Sequence, residues 1–144
     1  MAVTPLELAD FLLIAESVLE IPARQIAQDA NLTLADSALH APLARFAGED
    51  FYPGFVAKAA VLCAHLIKNH PLEDGNAPVA LISTIEFCHR NGFTWTPAPD
   101  DPDGALAADL FLRVAAQPLT DEITDELAAW IAARIGQSVT AAEA

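Results

Sequence analysis

Cations are scarce in this chain. Seven Lys and Arg stand against twenty Asp and Glu in 144 residues, a net charge of −13 at neutral pH. Binding to DNA or RNA depends on cations that neutralise phosphates, so this balance argues against a nucleic-acid partner. It argues equally against a polybasic grip on an anionic membrane. Cysteine is scarce too. Cys63 and Cys88 are the only two, each inside an apolar helical pattern. That excludes a disulfide framework or a CxxC…CxxC zinc set and predicts two buried thiols. No basic segment precedes the first apolar stretch, which Glu7 and Asp10 interrupt, and no apolar run approaches the ~20 residues of a membrane span. A soluble, cytoplasmic protein without a membrane partner is expected. Strand signals are nearly absent as well.

What remains is helical. Apolar residues make up 53% of the chain, which excludes disorder for its bulk, and 30 alanines direct that content into helices. One all-α domain is expected over residues 1–144, with an ordered core from about 4 to 136 and a frayed tail over 137–144. Thr4-Pro5-Leu6-Glu7 reads as a capping box that opens a helix to about Glu20. A short helix carrying Ile26 follows Pro22. Another runs from near Asp36 to Phe46, with Leu39, Leu43 and Phe46 on one side. The aromatic-rich stretch Ala47–Gly54 reads as a loop or short hairpin. Phe55–Lys68 is apolar nearly all round, as a central buried helix would be, and Ala77–Arg90 is a second apolar helix stopped by Asn91-Gly92. Beyond a stiff connector at Pro97, Pro99 and Pro102, two more helices span about Asp103–Gln117, with Leu106, Leu110, Phe111 and Val114, and Thr120–Ile135, with Leu127, Trp130 and Ile131. Thr120 is the N-cap of the last helix and Gly136 its C-cap.

The chemistry concentrates in His70-Pro71-Leu72-Glu73-Asp74-Gly75-Asn76, the break between the two most apolar helices. Gly75 permits close backbone approach, and the free amides at the next helix start form an anion cradle. His70 suits proton transfer near neutral pH, and Asp74 is a hard oxygen ligand able to hold Mg²⁺ between phosphates. A base, a metal carboxylate and an anion cradle within seven residues point to phosphoryl or nucleotidyl transfer. The same residues would also serve in an ordinary Asx/Gly turn that caps a helix.

The segment His70–Asn76 resembles the signature of the Fic/Doc family, of the Doc-like (death-on-curing) toxin type, written HPFxDGN followed by Lys-Arg or Gly-Arg. Tyr52-Pro53, Lys58-Ala59-Ala60, Glu86-Phe87 and Arg90-Asn91-Gly92-Phe93 resemble its flanks, and Leu110, Ala115-Ala116, Trp130 and Ile131 its closing helices. The resemblance covers about residues 4–136. It implies a helical fold whose motif loop lies between two central helices and binds ATP with Mg²⁺. It also implies transfer of a phosphoryl group or AMP to a hydroxyl of a protein substrate, such as a translation factor, and silencing by an antitoxin. Carried over, His70 would be the catalytic base and Asp74 the Mg²⁺ ligand, Gly75 and Asn76 would line the phosphate site, and Ala47–Gly54 would lie beside it and align the target. The chain departs from the pattern at Ala77-Pro78, which replace the basic pair, and at Leu72, which replaces Phe. A missing arginine removes a phosphate clamp, and Pro78 removes an amide. Lys68 is the nearest cation in sequence able to substitute. A catalytically degenerate binding module is the alternative implied by that loss.

Other polar residues invite blander readings. His40, His65 and His89 lie in helical patterns as core or surface histidines. The single Glu86-x-x-His89 lacks the second copy a di-iron site needs. Trp95 and Trp130 are expected to pack on the core or a partner, and Asp100, Asp101 and Asp103 to form a solvated face or an acidic groove for a basic antitoxin peptide.

Overall fold

A computed structural model describes residues 2–97, 99, 101 and 104–137. Among these, helices dominate: α1 (Leu8–Leu19), α2 (Ala23–Asp29), α3 (Leu32–His40), α4 (Phe55–Asn69), α5 (Asn76–Arg90), α6 (Ala105–Ala116) and α7 (Asp121–Ala132). Two small antiparallel ribbons accompany them, β1 (Arg45–Phe46) with β2 (Glu49–Asp50) and β3 (Phe93–Trp95) with β4 (Ile135–Gln137). The all-α expectation holds. α4 is the central helix, packed on α3, α5, α6 and α7. Ala59, Ala60, Leu62, Cys63, Ala64, Leu66 and Ile67 along it are all buried. Its small side chains let four neighbours approach closely, which is what the alanine-rich composition makes possible. Cys63 and Cys88 are free and buried, and desolvation pushes both thiols up to about 12. No helix among the described residues is long and apolar enough to cross a membrane.

Several boundaries differ from the sequence expectation, each for a physical reason. α1 starts at Leu8, because the Glu7 amide donates to Asp10 Oδ2 at 2.8 Å. Thr4 instead trades hydrogen bonds with Asn91, its amide donating to Oδ1 at 2.7 Å and its carbonyl accepting from Nδ2 at 2.9 Å. The third helix is α3, opened by Asn31 accepting from the Leu34 amide at 3.1 Å. It ends at His40, before a 3₁₀ turn over Ala41–Leu43 and the β1–β2 hairpin. Phe46 therefore leaves the core and is 76% exposed. Gly136 is no helix cap. α7 ends at Ala132, and Gly136 pairs with Thr94 in the β3–β4 ribbon. Thr120 does cap α7, accepting from the Ile123 amide at 3.4 Å. Gln137, expected to begin a frayed tail over 137–144, instead pairs with Phe93 in β4, while the expected helix start at Asp103 and residues 138–144 lie outside the described residues.

Candidate active site

The motif loop is tied at both ends. α4 terminates at His70, whose left-handed backbone (φ 50°, ψ 54°) turns the chain out of the helix. The Pro71 carbonyl accepts from the Asn31 amide at 2.8 Å, and Asn69 Nδ2 donates to the Leu34 carbonyl at 3.0 Å, so α3 holds the loop from below. Leu72 is buried and anchors the loop in the core, as its apolar replacement of Phe requires. Asn76 closes the turn. Its Oδ1 accepts from the Leu72 amide at 3.0 Å, and its Nδ2 donates to the Leu72 carbonyl at 2.9 Å. Gly75 sits at φ 78° against α1, where a Cβ would collide with Leu19 Cδ2. The backbone angle requires glycine there, and any added Cβ would also force the end of the Leu19 side chain to move.

At the start of α5 the Gly75 amide is taken by Asp74 Oδ1 at 2.8 Å. Pro78 has no N–H. The amides of Asn76 and Ala77 are then the ones left without an intrahelical carbonyl. His70, Asp74, Gly75, Asn76, Ala77 and Pro78 line one end of an open cavity of about 630 Å³. Its remaining walls are Ile67 of α4, Leu81 of α5 and the α6 face made by Gly104, Ala107, Ala108, Phe111, Leu112 and Ala115. His70 and Asp74 are solvent-exposed at this rim, accessible to a ligand. No cationic side chain lies among the described lining residues.

The structure brings four of the five expected site residues together and places the fifth elsewhere. Lys68 Nζ donates to the carbonyls of Ala115 at 3.1 Å and Gln117 at 2.7 Å, capping the C-terminal end of α6. It does not line the cavity. The Asn76 side chain is spent on Leu72 and shapes the loop, which leaves its backbone amide as the group it could offer a ligand. The stretch Ala47–Gly54 is pinned to α4 by Lys58, whose buried Nζ donates to Asp50 Oδ2 at 3.0 Å and to the Tyr52 carbonyl. That bond holds the Asp50 carboxyl below its ordinary range. Phe51 and Tyr52 line a separate cavity of about 390 Å³ against Val61 and His65 of α4 and Asp121 and Asp125 of α7.

The sequence reading missed α6 as a wall of the site. Leu106 is half exposed and Leu112 is 70% exposed, whereas Leu110, Phe111 and Val114 are buried. Apolar residues on both faces of an amphipathic helix were the available signal. It missed Asp101 too, which is no solvated acid. Its Oδ1 accepts from the Leu106 amide at 2.9 Å and its Oδ2 from the Ala107 amide at 3.0 Å, fixing the start of α6. Buried Arg134 lies 3.9 Å away, stacked 4.2 Å over the Trp130 ring. Trp95 packs on the same ring, as expected, at 5.5 Å. Asp100 and Asp103 lie outside the described residues.

A lone exposed carboxylate suits Mg²⁺ better than a caged ion. Among the described residues no group of three or more His, Cys, Asp or Glu could hold a metal. Mg²⁺ commonly takes one or two carboxylates, completing its shell with water and substrate phosphates. Asp74 at the cavity rim fits that role.

Comparison with known proteins identifies the family. Residues 5–88 match the model of the Fic/DOC family. The chain is 39% identical over 101 residues to "Toxin Doc" of Mycolicibacterium smegmatis (strain ATCC 700084 / mc(2)155), covering 69% of this chain and 75% of that protein. No solved structure matches it significantly. The matched segment contains the whole of α1 to α4 and the motif loop: the chain belongs to the Fic/DOC family.

Proposed function

We propose that this protein is a Doc-type toxin of a toxin–antitoxin pair, transferring a phosphoryl or nucleotidyl group from ATP to a hydroxyl of a protein substrate. The observation that carries the reading is the convergence of His70, Asp74, Gly75 and the first amides of α5 on one cavity. The His70 imidazole accepts the proton of the target hydroxyl as its oxygen attacks phosphorus, and the bond to the leaving phosphate breaks. The amides of Asn76 and Ala77 orient the phosphate. Asp74 would hold Mg²⁺, which would supply the charge neutralisation that side chains do not. The partner expected from the relative's printed name is an antitoxin.

Label transfer from ATP tests the activity. With Mg²⁺ and a cell extract, label at the α position entering protein marks nucleotidyl transfer, and label at the γ position marks phosphoryl transfer. His70→Ala should reduce either by about 10²–10⁴-fold. Equal labelling by the variant would remove His70 from the reaction.

The cation-free cavity favours one competing reading, a family member retained as a binding module. Loss of an arginine clamp costs about 10³-fold or more where it acts like an arginine finger. This reading predicts no label transfer, a stable antitoxin complex indifferent to His70→Ala, and activity gained only on Ala77→Lys with Pro78→Arg.

A further inference from the structure

A second cavity, of about 390 Å³, lies between the hairpin that follows β2, α4 and the first turns of α7. Among the described residues its lining shares none with the cavity at the motif loop. Two aromatic rings form one side. Phe51 is 61% exposed, and its ring meets that of Tyr52 edge to face at 5.1 Å. Lys58 holds both Asp50 and the Tyr52 carbonyl, so this aromatic side is fixed before anything binds to it. Val61 of α4 adds buried apolar surface, and His65 is tied down by donating Nδ1–H to the Val61 carbonyl at 2.9 Å. From α7 come Asp121 and Asp125, both exposed and four residues apart on one helix face, where like charges repel. The chain's own cations are spent elsewhere. Arg45, Lys58, Lys68, Arg90, Arg113 and Arg134 hold, in that order, the Gly48 carbonyl, Asp50, the end of α6, Asp10, Glu126 and the Trp130 carbonyl. Among the described residues no ion pair joins a cation to Asp121 or Asp125.

An aromatic groove edged by two uncompensated carboxylates discriminates among side chains. An acidic one is repelled, and an apolar one leaves the carboxylates without a counter-charge. Arginine satisfies both parts at once. Its stem covers apolar surface, and its planar, weakly hydrated guanidinium stacks on an aromatic ring while donating to a carboxylate. We infer that this groove docks an arginine-bearing segment of a partner protein, with the guanidinium held between the Phe51–Tyr52 pair and Asp121 and Asp125. The docking surface uses no residue of the motif loop and stands or falls independently of group transfer.

Fluorescence anisotropy of the full chain tests it with a labelled heptapeptide of alternating leucine and arginine. The same peptide with citrulline in place of arginine keeps the shape and removes the charge, and spermine supplies a free cation. The arginine peptide should bind saturably, and the citrulline peptide about fivefold or more weakly. Asp121→Asn with Asp125→Asn should weaken the arginine peptide by a similar factor, and so should Phe51→Ser. Glu122→Gln removes a charge from the same turn of α7 outside the cavity lining and should change affinity less than about twofold. All four positions are exposed, so circular dichroism should show each variant folded. Amide NMR shifts on peptide addition should fall at Tyr52, His65 and Asp125 and not at Gly75 or Ala77. No saturable binding at about millimolar peptide, equal binding of the citrulline peptide, or shifts centred on the motif loop would each overturn the inference. So would a Glu122→Gln loss as large as that of the double variant, since net charge alone would then account for binding. Spermine that competes as tightly as the peptide would make the groove a small-cation site and overturn protein docking. His70→Ala should leave peptide binding unchanged while losing label transfer, so failure of either reading is visible by itself.

Discussion

His70 holds its left-handed backbone without being glycine, at the position that also carries the proposed base. For a residue with a Cβ that conformation costs about 1–2 kcal/mol. Glycine would remove this cost while adding about 0.5–1 kcal/mol of chain entropy on unfolding. His70→Gly is therefore expected to raise stability by about 0.5 kcal/mol in urea denaturation while losing label transfer. A destabilised variant would show that the histidine ring itself supports the fold. Gly75 behaves in the opposite way. Gly75→Ala meets both a positive φ and Leu19, and should cost about 1–3 kcal/mol. Leu19→Ala in the same chain removes the collision but not the backbone strain, so part of the cost should remain in the double variant. The need for Gly75 was legible in the sequence from the turn pattern. Its neighbour Leu19, 56 positions away, was not, because only packing brings α1 against the loop.

At the scale of elements, α6 is held by polar contacts at its start, in its last turn and at its C-terminal end. Asp101 caps its first amides, Arg113 donates to Glu126 of α7 at 2.7 Å through both Nη1 and Nη2, and Lys68 caps its last carbonyls. The Asp101–Arg134 pair is buried, and removing one partner of such a pair strands the other's charge. Arg134→Met should destabilise by about 3 kcal/mol. Asp101→Asn in the same chain should recover part of that loss, measured as a double-mutant cycle of urea midpoints. Strict additivity would mean the two side chains act independently. Hydrogen exchange of the α6 amides gives the matching local readout, since Leu106 and Ala107 donate to Asp101. Helical periodicity located this helix. Its anchors come from residues before, after and far from it, which a local pattern cannot reveal.

Across the whole molecule, ion pairs join elements that the chain separates. Asp10 of α1 accepts from Arg90 of α5 at 2.8 Å, Asp50 of β2 pairs with Lys58 of α4, and Glu126 of α7 pairs with Arg113 of α6. The cationic partner holds each carboxyl below its ordinary range, in each case chiefly through the hydrogen bond it donates. A depressed folded-state value stabilises above the unfolded value, about 3.9 for Asp, and that contribution is lost as pH falls through the folded value. Thermal melts should therefore lose stability steeply below about pH 4, and Arg90→Gln should make that loss shallower by removing the Asp10 share. An acid limb unchanged by Arg90→Gln would show that this pair contributes nothing. The sequence by itself determined the helical class, the central α4, the motif residues and the absence of a basic pair, because periodicity, capping and composition are local properties. The tertiary structure alone decided that Lys68 caps α6 and does not line the motif-loop cavity, that residues 93–95 pair with 135–137, and that α6 supplies the apolar wall of that cavity. Each depends on which surfaces meet once the core closes, and contacts across such sequence distances leave no periodic trace in the chain.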